Sequence, residues 1–434
     1  MITSPAFRGK RYAVLGLART GLATVRALLA SGAQVTAWDT NATAREAALQ
    51  LPPATGAAQG ALSLADPLEM DLGGLDAVIV SPGVPLNSHP IAAKARAAHV
   101  PIIGDIELFA LARAGLAAHK VVGITGTNGK STTTALIHHL CTTAGLPTTL
   151  GGNIGLPILG QDPLPSGGVY VLELSSYQID LSHSLACDVA VLTNITPDHL
   201  DRYDGFAGYC ASKERLFGFQ HADQLAIIAC DDDPSRMIAS RVNHRLIRVH
   251  AADIKDQGRW PTLQGPHNAQ NVAIAIKVAA ALGIDDATIE RGLATYPGLP
   301  HRMQRVKERL GVLYVNDSKA TNADSTAPAL GAYPAIHWIL GGKAKTHDLD
   351  ACIKWFGNVK AAYVIGEAAP LFAELLAPHM TVTQSGTLEQ AVKDAAAVAV
   401  PGDTILLSPA CASFDQFRDF EARGDAFRAA VEAL

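Results

Sequence analysis

Short apolar runs alternate along the whole chain with longer stretches in which alanine, leucine and valine recur at helical spacing. Tyr12-Ala-Val-Leu15, Val35 to Trp38 and Ala77 to Val80 are too short for buried helices and end on Gly16, Asp39-Thr40 and Ser81-Pro82-Gly83, so they read as strands closed by turns. The stretch between the first two, to Leu29, completes a strand, glycine turn, helix, strand unit. Pro52 to Gly74 is weakly patterned and predicts a loop with one short element, and Ile102 to Ile106 predicts a last strand and the exit from a first domain.

A second series opens with Lys120 to Ile124, which runs into Thr125-Gly-Thr-Asn-Gly-Lys-Ser-Thr132 and a helical pattern through Cys141. Val169 to Leu174, Val189 to Leu192 and Gln224 to Cys230 follow as strands, and Asn268 to Leu282 as an amphipathic helix. After Pro297-Gly-Leu-Pro-His-Arg302, Leu313 to Asn316, Ile336 to Leu340, Ala361 to Val364 and Thr404 to Leu407 repeat the alternation. Strands that alternate with helices predict an α/β protein with mostly parallel sheets and helices on both faces. At about 150 residues per domain, 434 residues divide into three, drawn here at 1–106, 107–300 and 301–434.

Composition narrows the partners. With 48% hydrophobic and 17% charged residues the chain is folded, and a net charge of −5 excludes a global electrostatic grip on nucleic acid. Anionic ligands must then be held by a few placed groups. Six cysteines without a C-x-x-C pair predict neither a disulfide framework nor a zinc site, which points to a reducing cytoplasm. Met1 to Lys10 lacks the pattern of an export signal, and no uncharged stretch approaches the ~18 residues of a membrane span. The expectation is a cytoplasmic protein bound to neither membrane nor nucleic acid.

Gly126-Thr127-Asn128-Gly129-Lys130-Ser131-Thr132, between a strand and a helix, is built to turn backbone N–H groups and a lysine toward phosphates and a hydroxyl toward Mg²⁺. The usual G-x-x-x-x-G-K-[ST] spacing needs glycine at position 124, which is Ile124, so a plain Gly/Thr turn is the alternative. Gly16-Leu-Ala18-Arg-Thr-Gly21 falls short of the dinucleotide fingerprint because Ala18 replaces its middle glycine. Asp39 is placed for a ribose or base contact beside Ser81 and Gly83; a ligand-free scaffold is the other reading.

Glu173, His199 and Lys213 follow consecutive strands and carry hard-cation chemistry beside a triphosphate, although each alone reads as a structural or surface residue. Asn316 to Asn322, Gly341 to Thr346 and Ser408 to Phe417 also follow strands, as a pocket for a small anion or as solvated turns. Cys411 has no base nearby in sequence and is not a convincing nucleophile.

Thr125 to Thr132, Gly152-Asn-Ile-Gly155, Leu172-Glu-Leu-Ser-Ser-Tyr177, Asp198-His-Leu-Asp-Arg-Tyr203, His267-Asn-Ala-Gln-Asn271, Leu299-Pro-His-Arg302 and Asn316-Asp-Ser-Lys-Ala-Thr-Asn322 together resemble the Mur ligases, in matching order along the whole chain. Ser408 to Phe417, with Phe420 and Arg423-Gly424, is similar to the branch of that family that adds D-glutamate to UDP-N-acetylmuramoyl-L-alanine. The resemblance implies a Rossmann-like N-terminal domain for the UDP substrate, a P-loop-type ATPase central domain and a Rossmann-like C-terminal domain for the amino acid. It further implies an ATP-dependent ligase of peptidoglycan precursor synthesis that works as a monomer: ATP converts the alanyl carboxylate to an acyl phosphate, and the amine of D-glutamate displaces phosphate.

By the same resemblance, Gly126, Thr127, Asn128, Gly129, Lys130, Ser131 and Thr132 cradle the ATP phosphates, with Asn271, Arg302 and Asp317 on adenine, ribose or phosphate. Ser131 and Glu173 hold one Mg²⁺, and His199 and Lys213 a second, Lys213 as a carbamate formed with CO₂. Asn153 and His199 position the reacting end of the muramoyl substrate. Arg19, Thr20, Asp39, Thr40, Ser81 and Gly83 fall to the uridine diphosphate, and Thr321, Lys345, Ser413 and Phe420 to D-glutamate.

Three stretches depart from the pattern: Pro52 to Gly74 is enlarged, Asp253 to Gly265 is abbreviated, and Gly342-Lys343-Ala344 differs in charge before Lys345. The bland reading of Lys213, flanked by Glu214 and Arg215, is a solvated helix face. Competing functions are another ligase on the same scaffold, including one for folate polyglutamates, and a nucleotide-binding regulator that makes no amide.

Overall fold

A computed structural model describes residues 1–51, 60–346 and 348–434. The chain forms two compact units, one of Met1–Lys255 with Asn268–Ala294, the other of Asp256–His267 with Thr295–Leu434.

The first unit holds two sheets. β1 (Arg11–Leu15), β2 (Gln34–Trp38), β3 (Ala61–Leu64), β4 (Ala77–Val80) and β5 (Ile102–Ile103) pair in parallel in the order β3-β2-β1-β4-β5. Consecutive residues of β1 and β4 are buried, so both sheet faces are covered, as crossover helices such as Arg19–Ala30 require. β3 is the short element expected within Pro52 to Gly74; residues 52–59 of that stretch lie outside the described ones.

One expectation is corrected. The strand stops at Ile103, and Asp105–Ala112 is a helix that spans position 106. Gly104 caps it, and the acids Asp105 and Glu107 in its first turn favour its positive N-terminal pole. The apolar run Ile102 to Ile106 conceals this turn because Ile106 is buried as a helical residue rather than a strand residue.

β6 (His119–Thr125), β7 (Thr148–Gly152), β8 (Gly168–Glu173), β9 (Val189–Leu192), β10 (Leu225–Ala229) and β11 (Arg245–Val249) form an all-parallel sheet ordered β11-β10-β9-β6-β8-β7. One apolar core runs through both sheets of the unit, and Phe109 meets Tyr170 edge-on at 5.0 Å within it. Glu107 adds a polar tie, accepting hydrogen bonds from the backbone of His183 and Ser184.

The second unit holds β12 (Gln304–Arg309), β13 (Val312–Asn316), β14 (Ile336–Gly341), β15 (Val359–Ile365), β16 (Thr381–Gly386) and β17 (Thr404–Leu407), ordered β12-β13-β17-β14-β15-β16. Only β12 runs antiparallel, joined to β13 by Leu310-Gly311 with φ of 52° and 75°. The α/β class and the parallel pairing agree with the sequence reading. No helix among the described residues is long and apolar enough to cross a membrane.

In each sheet the loops that carry candidate chemistry leave the carboxyl ends of strands: β1, β2 and β4 in the first, β6, β7, β8 and β9 in the second, β13, β14 and β17 in the third. That is where open α/β sheets leave room for ligands.

Candidate active site

β6 delivers Thr125 into a loop whose two glycines are required by close approach. Gly126 has φ 145°, and a Cβ there would lie 1.9 Å from Thr193 Oγ1; Gly129 has φ 80°, and its Cβ would lie 2.5 Å from Asn271 Oδ1. The loop is pinned to the end of β9. Asn194 accepts from Thr127 N (2.8 Å) through its carbonyl and from Asn128 N (2.9 Å) through its side chain, and Thr193 Oγ1 donates to Asn128 O at 2.7 Å. Asn271 Oδ1 accepts from Thr133 Oγ1 at 3.1 Å. Helix Lys130–Thr143 begins at Gly129 with no side-chain cap, which leaves its positive end to whatever anion enters the loop. Lys130 Nζ folds back onto Gly126 O (3.0 Å) and Thr127 O (2.8 Å).

Lys213 does not lie on a solvated face. It is 1% exposed on helix Gly205–Gly218, its Nζ donates to Gly126 O at 2.7 Å, and it sits 4.6 Å from the centre of the Tyr209 ring. Burial, and then the charge of Lys130, hold its amine well below the ordinary lysine range. Its neighbour Glu214 turns outward to pair with Arg241 at 2.6 Å, which explains the charged flanks that concealed it. Tyr209 closes the group through a hydrogen bond of 3.1 Å between its hydroxyl and Thr127 Oγ1.

β7 and β8 bring Asn153 and Glu173 together. Asn153 N donates to Glu173 O (2.8 Å) and its side-chain amide to Glu173 Oε1 (2.9 Å). Glu173 is 2% exposed, and its Oε2 is buried without a hydrogen-bond partner. A carboxylate oxygen in that state is costly unless a cation answers it. Mg²⁺ fits, since it binds through one or two protein groups and fills its shell with phosphate and water. No group of three or more His, Cys, Asp or Glu side chains suited to a metal occurs among the described residues.

His199 is half-exposed with φ 52°, its Nε2 lies 3.6 Å from Asp198 Oδ2, and its ring is 5.2 Å from that of Tyr177. Ser131 occupies the first turn of its helix. Neither Ser131 with Glu173 nor His199 with Lys213 is joined by a hydrogen bond among the described residues.

In the first sheet both Asp39 oxygens are engaged by backbone, accepting from Leu17 N (2.7 Å) and Asn41 N (2.9 Å). Asp39 thus shapes the turn after β1. Gly21 packs so closely that a Cβ would lie 1.9 Å from Gly16 O, and Ser81 Oγ donates to that same carbonyl at 3.1 Å. Arg19 reaches Gly155 O at 3.4 Å, Thr40 O accepts from Arg45 at 3.0 Å, and Thr20 and Gly83 border the same turns.

In the second unit Asp317 is buried, accepts from Ser408 Oγ (2.8 Å) and Met303 N (3.1 Å), and is pushed up to about 7 by burial, against the pull of Ser408 and of the Arg302 charge. Lys345 Nζ donates to Thr321 Oγ1 at 3.1 Å; Ser413 is buried nearby in sequence to Cys411, and Phe420 opens helix Phe420–Glu432. Burial drives the Cys411 thiol up to about 12, in keeping with its exclusion as a nucleophile.

Sequence reasoning passed over Thr193, Asn194, Tyr209 and Lys319. The last places Nζ 4.0 Å from the centre of the Phe420 ring. Lys319 sits inside the run Asn316 to Asn322 singled out above, and Asn194 stands two residues beyond the strand Val189 to Leu192; Thr193 and Tyr209 carry no sequence signal of their own.

Comparison with known proteins finds three family models matching successive parts of the chain. Residues 10–104 match the Mur ligase MurD-like N-terminal domain, 124–262 the Mur ligase middle domain and 301–411 the Mur ligase glutamate ligase domain. The chain is 66% identical to the UDP-N-acetylmuramoylalanine–D-glutamate ligase of Sphingopyxis alaskensis over all of both chains. It is 63% identical to the ligase of the same name from Novosphingobium aromaticivorans, over all of this chain and 97% of that one. Among solved structures, the UDP-N-acetylmuramate-alanine ligase of Thermotoga maritima superposes with a TM-score of 0.58 at 18% identity, over 98% of this chain and 99% of that one.

Proposed function

The chain belongs to the Mur ligase family, with its three-domain α/β fold, and on that premise we propose that it is the ATP-dependent ligase joining D-glutamate to UDP-N-acetylmuramoyl-L-alanine. The observation that carries the chemistry is the convergence of Lys130 and buried Lys213 on one carbonyl, Gly126 O, at the end of the strand that neighbours the one bearing Glu173 with its bare oxygen. A carboxylate becomes an acyl donor only after one of its oxygens is made a leaving group, and phosphorylation brings several anions together that must be neutralised.

In this reading the amides of Gly126 to Thr132 and Lys130 hold the ATP phosphates, with Asn271, Arg302 and Asp317 on the nucleotide. Ser131 and Glu173 hold one Mg²⁺; His199 and Lys213 hold the second. Bound Mg²⁺ supplies charge neutralisation on the phosphates and on the attacking carboxylate. Asn153, itself fixed by Glu173, and His199 orient the alanyl carboxylate. Arg19, Thr20, Asp39, Thr40, Ser81 and Gly83 form the uridine diphosphate crevice, with Asp39 acting by shaping the turn. Thr321, Lys345, Ser413 and Phe420 take D-glutamate, Lys345 as a counter-charge to a carboxylate.

Lys213 is poised to become a metal ligand. Its neutral amine adds to the carbon of CO₂, a nitrogen–carbon bond forms, one proton leaves to water, and an anionic carbamate replaces an ammonium that nearby cations would repel. We assign residues 1–106 to the UDP substrate, 107–300 to ATP and magnesium and 301–434 to the amino acid. The enzyme is taken to act as a cytoplasmic monomer, for which its six free cysteines are suited.

Hydroxylamine tests the acyl phosphate. Supplied in place of D-glutamate with ATP, Mg²⁺ and UDP-N-acetylmuramoyl-L-alanine, it should yield the alanyl hydroxamate with matching ADP. ADP without hydroxamate, or neither product, counts against the mechanism.

A further inference from the structure

Arg423 lies on helix Phe420–Glu432 and is 1% exposed, yet no carboxylate pairs with it among the described residues. Its donors go instead to three separate loops. Nε donates to Ser318 Oγ at 2.9 Å and Nη2 to Ser318 O at 2.9 Å, after β13; Nη2 also donates to Cys411 O at 3.1 Å, after β17; Nη1 reaches Gly341 O at 3.4 Å, at the end of β14. Ser318 Oγ passes the contact on by donating to Phe420 O at 2.8 Å.

The space for this arrangement is made by glycine. Gly342 has φ 126°, and a Cβ there would lie 2.3 Å from Ala412 O and 3.1 Å from Arg423 Nη1. The loops after β14 and β17 then lock through Lys343 N to Ala412 O (2.9 Å) and Ala412 N to Lys343 O (3.0 Å). The four residues assigned to the incoming amino acid stand within four positions of these anchors: Thr321 after Ser318, Lys345 after Gly341, Ser413 after Cys411, and Phe420 before Arg423 itself.

We infer that Arg423 is the positioning residue of the amino-acid pocket, a buried guanidinium whose planar fork sets the mutual spacing of Thr321, Lys345, Ser413 and Phe420 and so determines which amino acid is accepted. The inference rests on the D-glutamate reading of those four residues. A fork with five fixed donors can join three loops at once, which a lysine ammonium on a flexible stem cannot do. Main-chain carbonyls suit this purpose better than a carboxylate, because they belong to the loops being held.

The test compares Arg423→Lys and Ser318→Ala with wild type in steady-state kinetics, varying each substrate separately, with thermal unfolding measured on the same samples. Ser318→Ala removes the hydroxyl that links Arg423 to Phe420 and keeps the guanidinium. Both variants should raise KM for D-glutamate by about ten- to a hundred-fold, the scale of loss from misplacing binding groups by about 1 Å. KM for ATP and for the UDP substrate should change less than about threefold, and discrimination against other amino acids should fall. An unchanged KM for D-glutamate in the folded fraction of either variant, with only a lower melting temperature or less active enzyme, overturns the inference. If wild type proves to use another amino acid, the D-glutamate reading fails by itself, and the KM for that amino acid becomes the readout.

Discussion

Asp317 offers a prediction in which stability and function pull in opposite directions. Its carboxyl is fully buried and raised from the ordinary 3.8 to about 7, although Ser408 Oγ and Met303 N both donate to it. Because the folded state keeps a proton that the unfolded chain has already released, stability falls as pH rises from about 4 and levels off above about 7. The gap of about three pH units, at about 1.36 kcal/mol each, amounts to about 4 kcal/mol.

Asp317→Asn removes that penalty and nearly preserves the shape. Its carbonyl can face Met303 N, and its NH₂ can face Ser408 Oγ, which can donate instead to Thr326 Oγ1 at 3.1 Å. Weaker hydrogen bonding costs about 1 kcal/mol at any pH, so the variant should be more stable than wild type by about 3 kcal/mol at pH 8. The advantage should shrink by roughly 3 kcal/mol between pH 8 and pH 5, since about two of the three pH units lie between 5 and 7. Urea denaturation of the full chain at the two pH values measures this difference. A difference between variant and wild type that stays flat from pH 5 to pH 8 refutes the reasoning. If the carboxylate serves ATP, the stabilised variant should also show a KM for ATP raised about tenfold or more, the usual exchange of stability for function at a binding site.

Three other outcomes follow from the geometry. Lys213→Ala should abolish turnover while leaving ATP binding within about threefold by calorimetry; wild-type activity in this variant would remove the carbamate from the account. Gly126→Ala places a Cβ 1.9 Å from Thr193 Oγ1 at φ 145°, so protection of the enzyme by ATP against thermal unfolding should be lost, and undiminished protection would show the loop to be tolerant. If each domain holds one substrate as proposed, all three must reach one carbon, so solution scattering should show compaction when ATP and the UDP substrate are both bound, and an unchanged radius of gyration counts against closure.

What the sequence made legible was decided by burial. β1, β4, β6, β8, β9, β10, β14 and β17 are covered on both faces and read as continuous apolar runs. β11, β12 and β16 lie at sheet edges, and Arg245-Leu-Ile-Arg-Val249 or Gln304-Arg-Val-Lys-Glu-Arg309 carries too much charge to announce a strand. β7, Thr148-Thr-Leu-Gly-Gly152, is hidden by its glycines, one of which must leave room for Glu173 O.

The loop Gly126 to Thr132 was visible because glycine, lysine and serine stand in register between a strand and a helix. The side chains around it were less so. Lys213 and Arg423 both look like surface charges among other charges, and only the fold reveals that each is desolvated and aimed at backbone carbonyls. Asp39 was visible as a residue but not in its role, because nothing local shows that Leu17 N, on a different strand's loop, claims its carboxylate.

The central claim is ligation of D-glutamate, and the direct measurement is ATP-dependent phosphate release across a panel of acceptors. Turnover should require UDP-N-acetylmuramoyl-L-alanine and D-glutamate together, with one amide formed for each phosphate released. Equal rates with L-glutamate or lysine would contradict the assignment of the amino acid, and ATP binding without turnover on any amino acid would make the protein a nucleotide-binding regulator instead.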